Sequence, residues 1–235
     1  MQYIWLIWSL LLCVIWSALY LLVKNGVSKK EMLIVSLWTA VTGLAEPIFV
    51  PAYWSPPSLF NLALRTGFDI ESVIFSFATG GIAVIIYEWF FKIRHEHISI
   101  TKRHHPHHRL HIYTLLSTPF IFMILFLVTD WNIIYSVIVS MTLGGLCTWY
   151  CRPDLKIKML SSAIIFLVIY FFYFLALIAM SPGYVEQVWN IKAISGVLIF
   201  GIPLEELLFA LSFGFLWSSV YEHVTWRKVK LIKQQ

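Results

Sequence analysis

Charge is what this sequence has least of. Lys, Arg, Asp and Glu make up 12% of its 235 residues while hydrophobic residues make up 60%, against roughly 25% charged in an ordinary soluble domain. The composition excludes a water-soluble globular chain. The three cysteines form no CxxC pair: Cys13 lies within the first apolar run, and Cys147 and Cys151 are one helical turn apart, so buried free thiols are expected. No GxGxxG motif follows a strand and no P-loop occurs, which leaves the chain without a dinucleotide-binding unit of its own. The start lacks the basic n-region and small-residue cleavage site of a signal peptide, so residues 3–23 are expected to be a retained first span.

Long apolar runs are what it has instead. Several exceed 18 residues, enough to cross a hydrocarbon core of about 30 Å. The pattern predicts an all-α integral membrane protein with seven spans, at about 3–23, 31–50, 69–91, 112–129, 132–150, 159–180 and 203–224. The segment 51–57 carries three prolines and cannot continue a helix. A short interfacial helix is expected over 58–66, and 188–200 reads as a short outer or re-entrant helix. Seven spans put 15 of the 17 Lys and Arg on one side; only Arg65 and Lys192 fall opposite. The positive-inside rule then predicts N-terminus out and C-terminus in. The net charge of +5 follows from these loops, so no nucleic acid partner is expected.

The chain also repeats itself. Without gaps, 67–90 and 201–224 share Gly67/Gly201, Glu71/Glu205, Phe75/Phe209, Gly80/Gly214, Tyr87/Tyr221 and Glu88/Glu222. This offset carries spans one to three onto spans five to seven and leaves span four as a link. The expected organisation is two parallel three-helix repeats, 1–91 and 131–235, joined by a basic His-rich loop and linking span at 92–130. Parallel repeats are related by an axis along the membrane normal, so Glu71 and Glu205 are expected at one depth, able to face each other.

The candidate site is acidic and aromatic. Glu71, Glu205 and Glu206 open transmembrane helices, where an ionisable group is costly to keep. A Glu in the first turn also favours the helix dipole, so simple capping is the competing reading; duplication of the Glu argues for function. Phe75 and Phe209 lie one turn on, and Phe213 and Trp217 continue that face. Rings of this kind stabilise a cation, while clustered carboxylates form an acid–base pair. Glu46, at the outer end of span two, is a candidate member of the same site. Glu88 and Glu222 lie about 25 Å further along their helices and are expected to make structural salt bridges, Glu88 with Lys92 four residues on. The run Lys102-Arg103-His104-His105-Pro106-His107-His108-Arg109 reads as a solvated patch near anionic lipid rather than a metal site.

Ile202-Pro203-Leu204-Glu205-Glu206-Leu207-Leu208-Phe209 resembles the Pro-x-Glu-Glu signature of the membrane lycopene cyclase domain, the family of heterodimeric bacterial and fused archaeal and fungal cyclases. The family's paired three-span units are similar to the repeat above. The resemblance implies redox-neutral, cofactor-free cyclisation of the ψ-end of lycopene through a carbocation to a β-ionone ring. It implies catalytic roles for Glu205 and Glu206, with Glu71 as the first-repeat copy. That copy departs from the signature, with Asp69 in place of the proline and Ser72 in place of the second Glu. It further implies a polyene substrate, membrane lipid around the chain and residence in the cell membrane; a homo-oligomer is compatible with it. The rival readings are a cation-coupled transporter, which polar residues lining several spans would favour, and a non-catalytic polyene-binding or assembly subunit.

Overall fold

The computed structural model describes residues 3–99, 103 and 106–231. Among these, seven helices are long and apolar enough to cross a bilayer. They are α1 (Ile4–Leu22), α2 (Gly26–Thr42, extended by a 3-10 turn over Gly43–Ile48), α4 (Ile70–Phe90), α5 (His111–Val128), α6 (Ile133–Cys151), α7 (Lys156–Met180) and α9 (Leu204–Thr225). Short helices α3 (Leu62–Thr66) and α8 (Tyr184–Val188) lie in the connections before α4 and α9. A 3-10 turn, Leu59–Asn61, leads into α3, so the interfacial helix expected over 58–66 is present.

The helix starts follow from local chemistry. Asn25 caps α2 by accepting from Val27 N at 3.0 Å, Asp69 caps α4 through Ser72 N, and Asn132 caps α6 through Ile134 N at 3.3 Å. The Asn132 amide also donates to Ala52 O and Ala193 O. That ties the connection after α2 and the connection after α8 to the start of α6.

α4 and α9 pack against each other at the centre. α4 also packs on α1 and α2, and α9 packs on α6 and α7. α5 packs on α6 at the periphery and is the least buried of the seven. Close approach is built in at Gly43: a Cβ there would sit 2.7 Å from the carbonyl oxygen of Ser72 in α4.

Two segments differ from the sequence reading. Residues 188–200 do not form a helix. After a 3-10 turn at Ile191–Ala193, strands β2 (Leu198–Ile199) and β3 (Ile202–Pro203) pair antiparallel. The turn between them, Phe200-Gly201, has positive φ at both residues, the requirement of a tight two-residue hairpin. Pro203 then stands at the N-cap of α9. The basic loop after α4 is not wholly irregular either: β1 (Ile93–His97) pairs antiparallel with β4 (Arg227–Leu231) at the chain's other end. Alternation within β1 turns His95 inward, its side chain only 2% exposed.

Candidate active site

A cavity of about 830 Å³ runs between α2, α4, α5, α6, α7 and α9. Along α9 it is lined by Glu206, Phe209, Phe213, Leu216, Trp217, Val220, His223 and Val224, the i, i+3, i+4 spacing of one helix face. From Glu206 to Val224 that face extends about 27 Å at 1.5 Å per residue. The cavity is therefore long and narrow, polar at its ends and apolar between.

Glu206 is held at one end by three donors. Tyr53 Oη donates to Oε1 at 2.5 Å, Trp189 Nε1 to the same oxygen at 2.8 Å, and Tyr170 Oη to Oε2 at 2.6 Å. Each donor has a reason to be there. Tyr53 and Trp189 belong to the connections after α2 and after α8, joined by Ser55 N to Val188 O (2.8 Å) and Asn190 N to Tyr53 O (2.8 Å). Tyr170 comes from mid-α7. Burial and the Glu206 carboxylate push the Tyr53 hydroxyl well above the usual phenol range, so it remains a donor. Three converging donors are how an ionised carboxylate is satisfied away from water.

Glu46 lines the same cavity from the 3-10 turn after α2. It is buried, beside Ser72 and Trp54, and its Oε1 has no hydrogen-bond partner. The repeat offset places Ser72 opposite Glu206 (72 + 134). Where the first copy lacks the second Glu of the signature, a carboxylate from a different helix stands nearby.

The other two carboxylates do something else. Glu71 accepts from Leu59 N at 2.7 Å. Glu205 accepts from Ser195 N at 2.9 Å and from Tyr135 Oη at 2.7 Å. Each thus pins the connection just ahead of its own helix. Of the described residues, Glu46 and Glu206 are the carboxylates on the cavity wall; Glu71 and Glu205 are not on it. Tyr184 lies close enough to Asp69 and Glu71 for their charges, after burial, to push its hydroxyl upward.

Phe75, Phe209, Phe213 and Trp217 all line the cavity. Phe209 stacks on Phe213 at 5.4 Å and Phe213 on Trp217 at 4.9 Å between ring centroids. Tyr170 lies between α4 and α9, its ring centroid 6.5 Å from that of Phe75 and 6.4 Å from that of Phe209. The result is a ladder of rings rising from the Glu206 end.

At the opposite end of the helices lies an ionic knot. Lys158 Nζ contacts Glu222 Oε1 at 2.5 Å, Glu88 Oε1 at 2.9 Å and Glu31 Oε1 at 3.1 Å, and His95 Nε2 contacts Glu88 Oε2 at 3.1 Å. Salt bridging by Glu88 and Glu222 was expected, but the partner is Lys158 rather than Lys92. Lys158 is not a loop cation either: it is 3% exposed in the first turn of α7. Three buried carboxylates demand an internal cation, which the adjacent solvated Lys92 cannot supply.

Two sets of metal-ligating atoms lie within 4.8 Å of one another among the described residues: Glu31, Glu88, His95 and Glu222, and His108, His111 and Cys151. Lys158 already fills the first. The second turns part of the His-rich run inward, against its reading as a solvated patch; His104 and His105 lie outside the described residues. Sequence reasoning did not find Tyr53, Tyr170, Trp189, Glu31, Lys158 or His95. Tyr170 carried a signal, as a phenol midway along an apolar span; Tyr53 and Trp189 sat in connections whose contacts no periodicity reports.

A search of curated proteins and a search of solved structures each returned no match. The family model described as lycopene cyclase matches residues 132–224, a stretch that includes α6, α7 and α9 and hence Glu205, Glu206 and the aromatic ladder. The matched stretch, 93 of the 235 residues, is similar to lycopene cyclases and carries the part of the cavity wall that α6, α7 and α9 contribute.

Proposed function

We propose that the protein is a cell-membrane carotenoid cyclase that closes a β-ionone ring at the ψ-end of lycopene or a closely related polyene. The observation that carries this reading is two carboxylates, Glu46 and Glu206, on the wall of a mostly apolar cavity that a ladder of aromatic rings also lines. The cavity suits an extended hydrocarbon: Thr39, Thr42, Thr79 and Ser140 on its wall donate their hydroxyl protons to carbonyls of their own helices, which tells against a hydrated ion path.

Catalysis divides between Glu46 and Glu206. Glu46, with an oxygen free of protein partners, delivers a proton to the terminal double bond. The neighbouring double bond attacks the resulting tertiary cation, forming one carbon–carbon bond and moving the positive charge onto the ring. Glu206, its charge held by Tyr53, Tyr170 and Trp189, faces that cation and removes a ring proton, restoring a double bond. One proton enters and one leaves, so the product is an isomer of the substrate and no oxidant is required. Phe75, Phe209, Phe213 and Trp217 lower the cation's energy through their ring faces. Exclusion of water from the apolar wall prevents its capture as an alcohol. Glu205 and Glu71 contribute by holding the connections that close the outer end of the cavity.

The same reading includes a duplicated architecture. Residues 1–91 and 131–235 form parallel repeats around the α4–α9 contact, with α5 as the link, the N-terminus outside and the C-terminus inside. Matched packing of α4 on α2 and of α9 on α7 supports it.

Expression in lycopene-accumulating cells followed by pigment analysis tests the function. Cyclised carotenoid is expected from the native chain and none from Glu206→Gln. Unchanged lycopene with well-folded native protein in the membrane would overturn the proposal.

A further inference from the structure

The second set of ligating atoms, on His108, His111 and Cys151, has the spacing of a metal site. Cys151 Sγ lies 3.5 Å from His111 Nδ1 and 3.7 Å from His108 Nδ1. Around a tetrahedral zinc ion, with Zn–S about 2.3 Å and Zn–N about 2.05 Å, the S···N edge comes to about 3.6 Å. Both observed separations fall beside that value. The two imidazoles meet nearly at right angles (82°) with ring centroids 6.5 Å apart, so their Nδ1 atoms converge on the sulfur without the rings overlapping.

The surroundings hold these rings in place. Trp226 stacks on His111 at 3.8 Å and 21° and meets His108 edge-on at 5.2 Å. To do so it takes a positive φ of 54° at the C-cap of α9, a conformation that bulky residues rarely adopt. His223 meets His111 edge-on at 4.5 Å. Cys151 is fully buried at the last residue of α6, where the helix dipole favours a cation. The nearby Arg152 works against a cation here and is offset in part by Asp154, which accepts from both its Nε and Nη2 at 2.8 Å.

We propose that His108, His111 and Cys151 form a binding site for a zinc-class ion, with two imidazole nitrogens and one thiolate as ligands and the fourth position open to water or one further donor. The thiolate selects zinc or another soft ion over magnesium or calcium. Bound there, the ion joins the start of α5 to the end of α6. It does so behind His223, which lines the inner end of the cavity. The site stands independently of the carotenoid reading.

The test uses the full chain in detergent, stripped of metal and titrated with cobalt(II), which reports a thiolate ligand by a near-ultraviolet charge-transfer band. One equivalent per chain with that band is expected. The band should disappear in Cys151→Ser, weaken at least tenfold in His111→Ala and persist in Cys147→Ser. Cobalt binding without the band, meaning capture by exposed histidines alone, would overturn the proposal, as would a band that survives Cys151→Ser. If Cys151→Ser does not fold, the native chain decides. Zinc should slow alkylation of Cys151 at least tenfold relative to the chelator-treated protein and leave Cys147 unaffected; equal rates at Cys151 would reject the site.

Discussion

Glu205 and Glu206 are neighbours in sequence, yet successive helical residues point about 100° apart, and the two carboxylates face different surroundings. Glu206 meets Tyr53, Tyr170 and Trp189 at the cavity; Glu205 meets Ser195 N and Tyr135. Substitution should separate them. Glu206→Gln is expected to reduce ring formation by about 10²–10⁴-fold, the usual worth of a positioned proton-transfer group. Glu205→Gln, which keeps an oxygen to accept from Ser195 N, should retain activity within about tenfold while lowering thermal stability slightly. Pigment yield normalised to membrane-inserted protein measures both. Removing one donor with Tyr53→Phe should cost about 1.5–3 kcal/mol of the charge-assisted interaction, or about 10–150-fold in rate. Equal losses for the Glu205 and Glu206 variants would contradict the division of roles argued here.

Helix contacts depend on small residues at a few positions. Gly43 lies against the backbone of Ser72 and Val73, closer than any side chain allows. Gly43→Ala is expected to force α2 and α4 apart and displace Glu46, which lies three residues on. The expected outcome is a lower melting temperature in detergent together with lost cyclisation, whereas Gly26→Ala, where a Cβ meets open space, should leave both unchanged. The hairpin at 198–203 shows why part of this was hidden in the sequence. Residues 188–200 are apolar enough to read as a short helix, but Phe200-Gly201 takes a two-residue turn. Nothing in the hydrophobic pattern reports the sign of φ at Phe200. The spans themselves were legible because each is a long uninterrupted apolar run, and the observed spans differ from the expected bounds by at most six residues, most at the start of the sixth, where a 3-10 turn from Pro153 leads into α7.

Across the whole molecule, two polar clusters stand at opposite ends of the apolar bundle: the Glu206 site and the knot of Lys158 with Glu31, Glu88, Glu222 and His95. Lys158→Met should destabilise the fold by about 3–5 kcal/mol, because it leaves three carboxylates buried without their cation. Loss of detergent-soluble, monodisperse protein would register this, and Lys158→Arg should recover part of it. Orientation in the bilayer can be read from single-cysteine labelling. A cysteine at Gly196, in the connection before α9, should react with a membrane-impermeant maleimide added outside intact cells, and one at Arg109 should not.

The sequence by itself determined the number of spans, their approximate limits and the acidic start of α9, because each of these is a local property of a continuous stretch. It also singled out Phe75, Phe209, Phe213 and Trp217 among the aromatic residues that line the cavity, since helical spacing puts the last three on one face. Only the tertiary structure decided that Glu46 joins Glu206 at the cavity while Glu71 and Glu205 hold connections, and that Lys158 lies inside the bundle. A side chain's partners depend on how its helix is rotated and on which other segments pack against it. Those contacts join residues more than a hundred positions apart, such as Tyr53 with Glu206 and Glu31 with Lys158, and no local pattern encodes them.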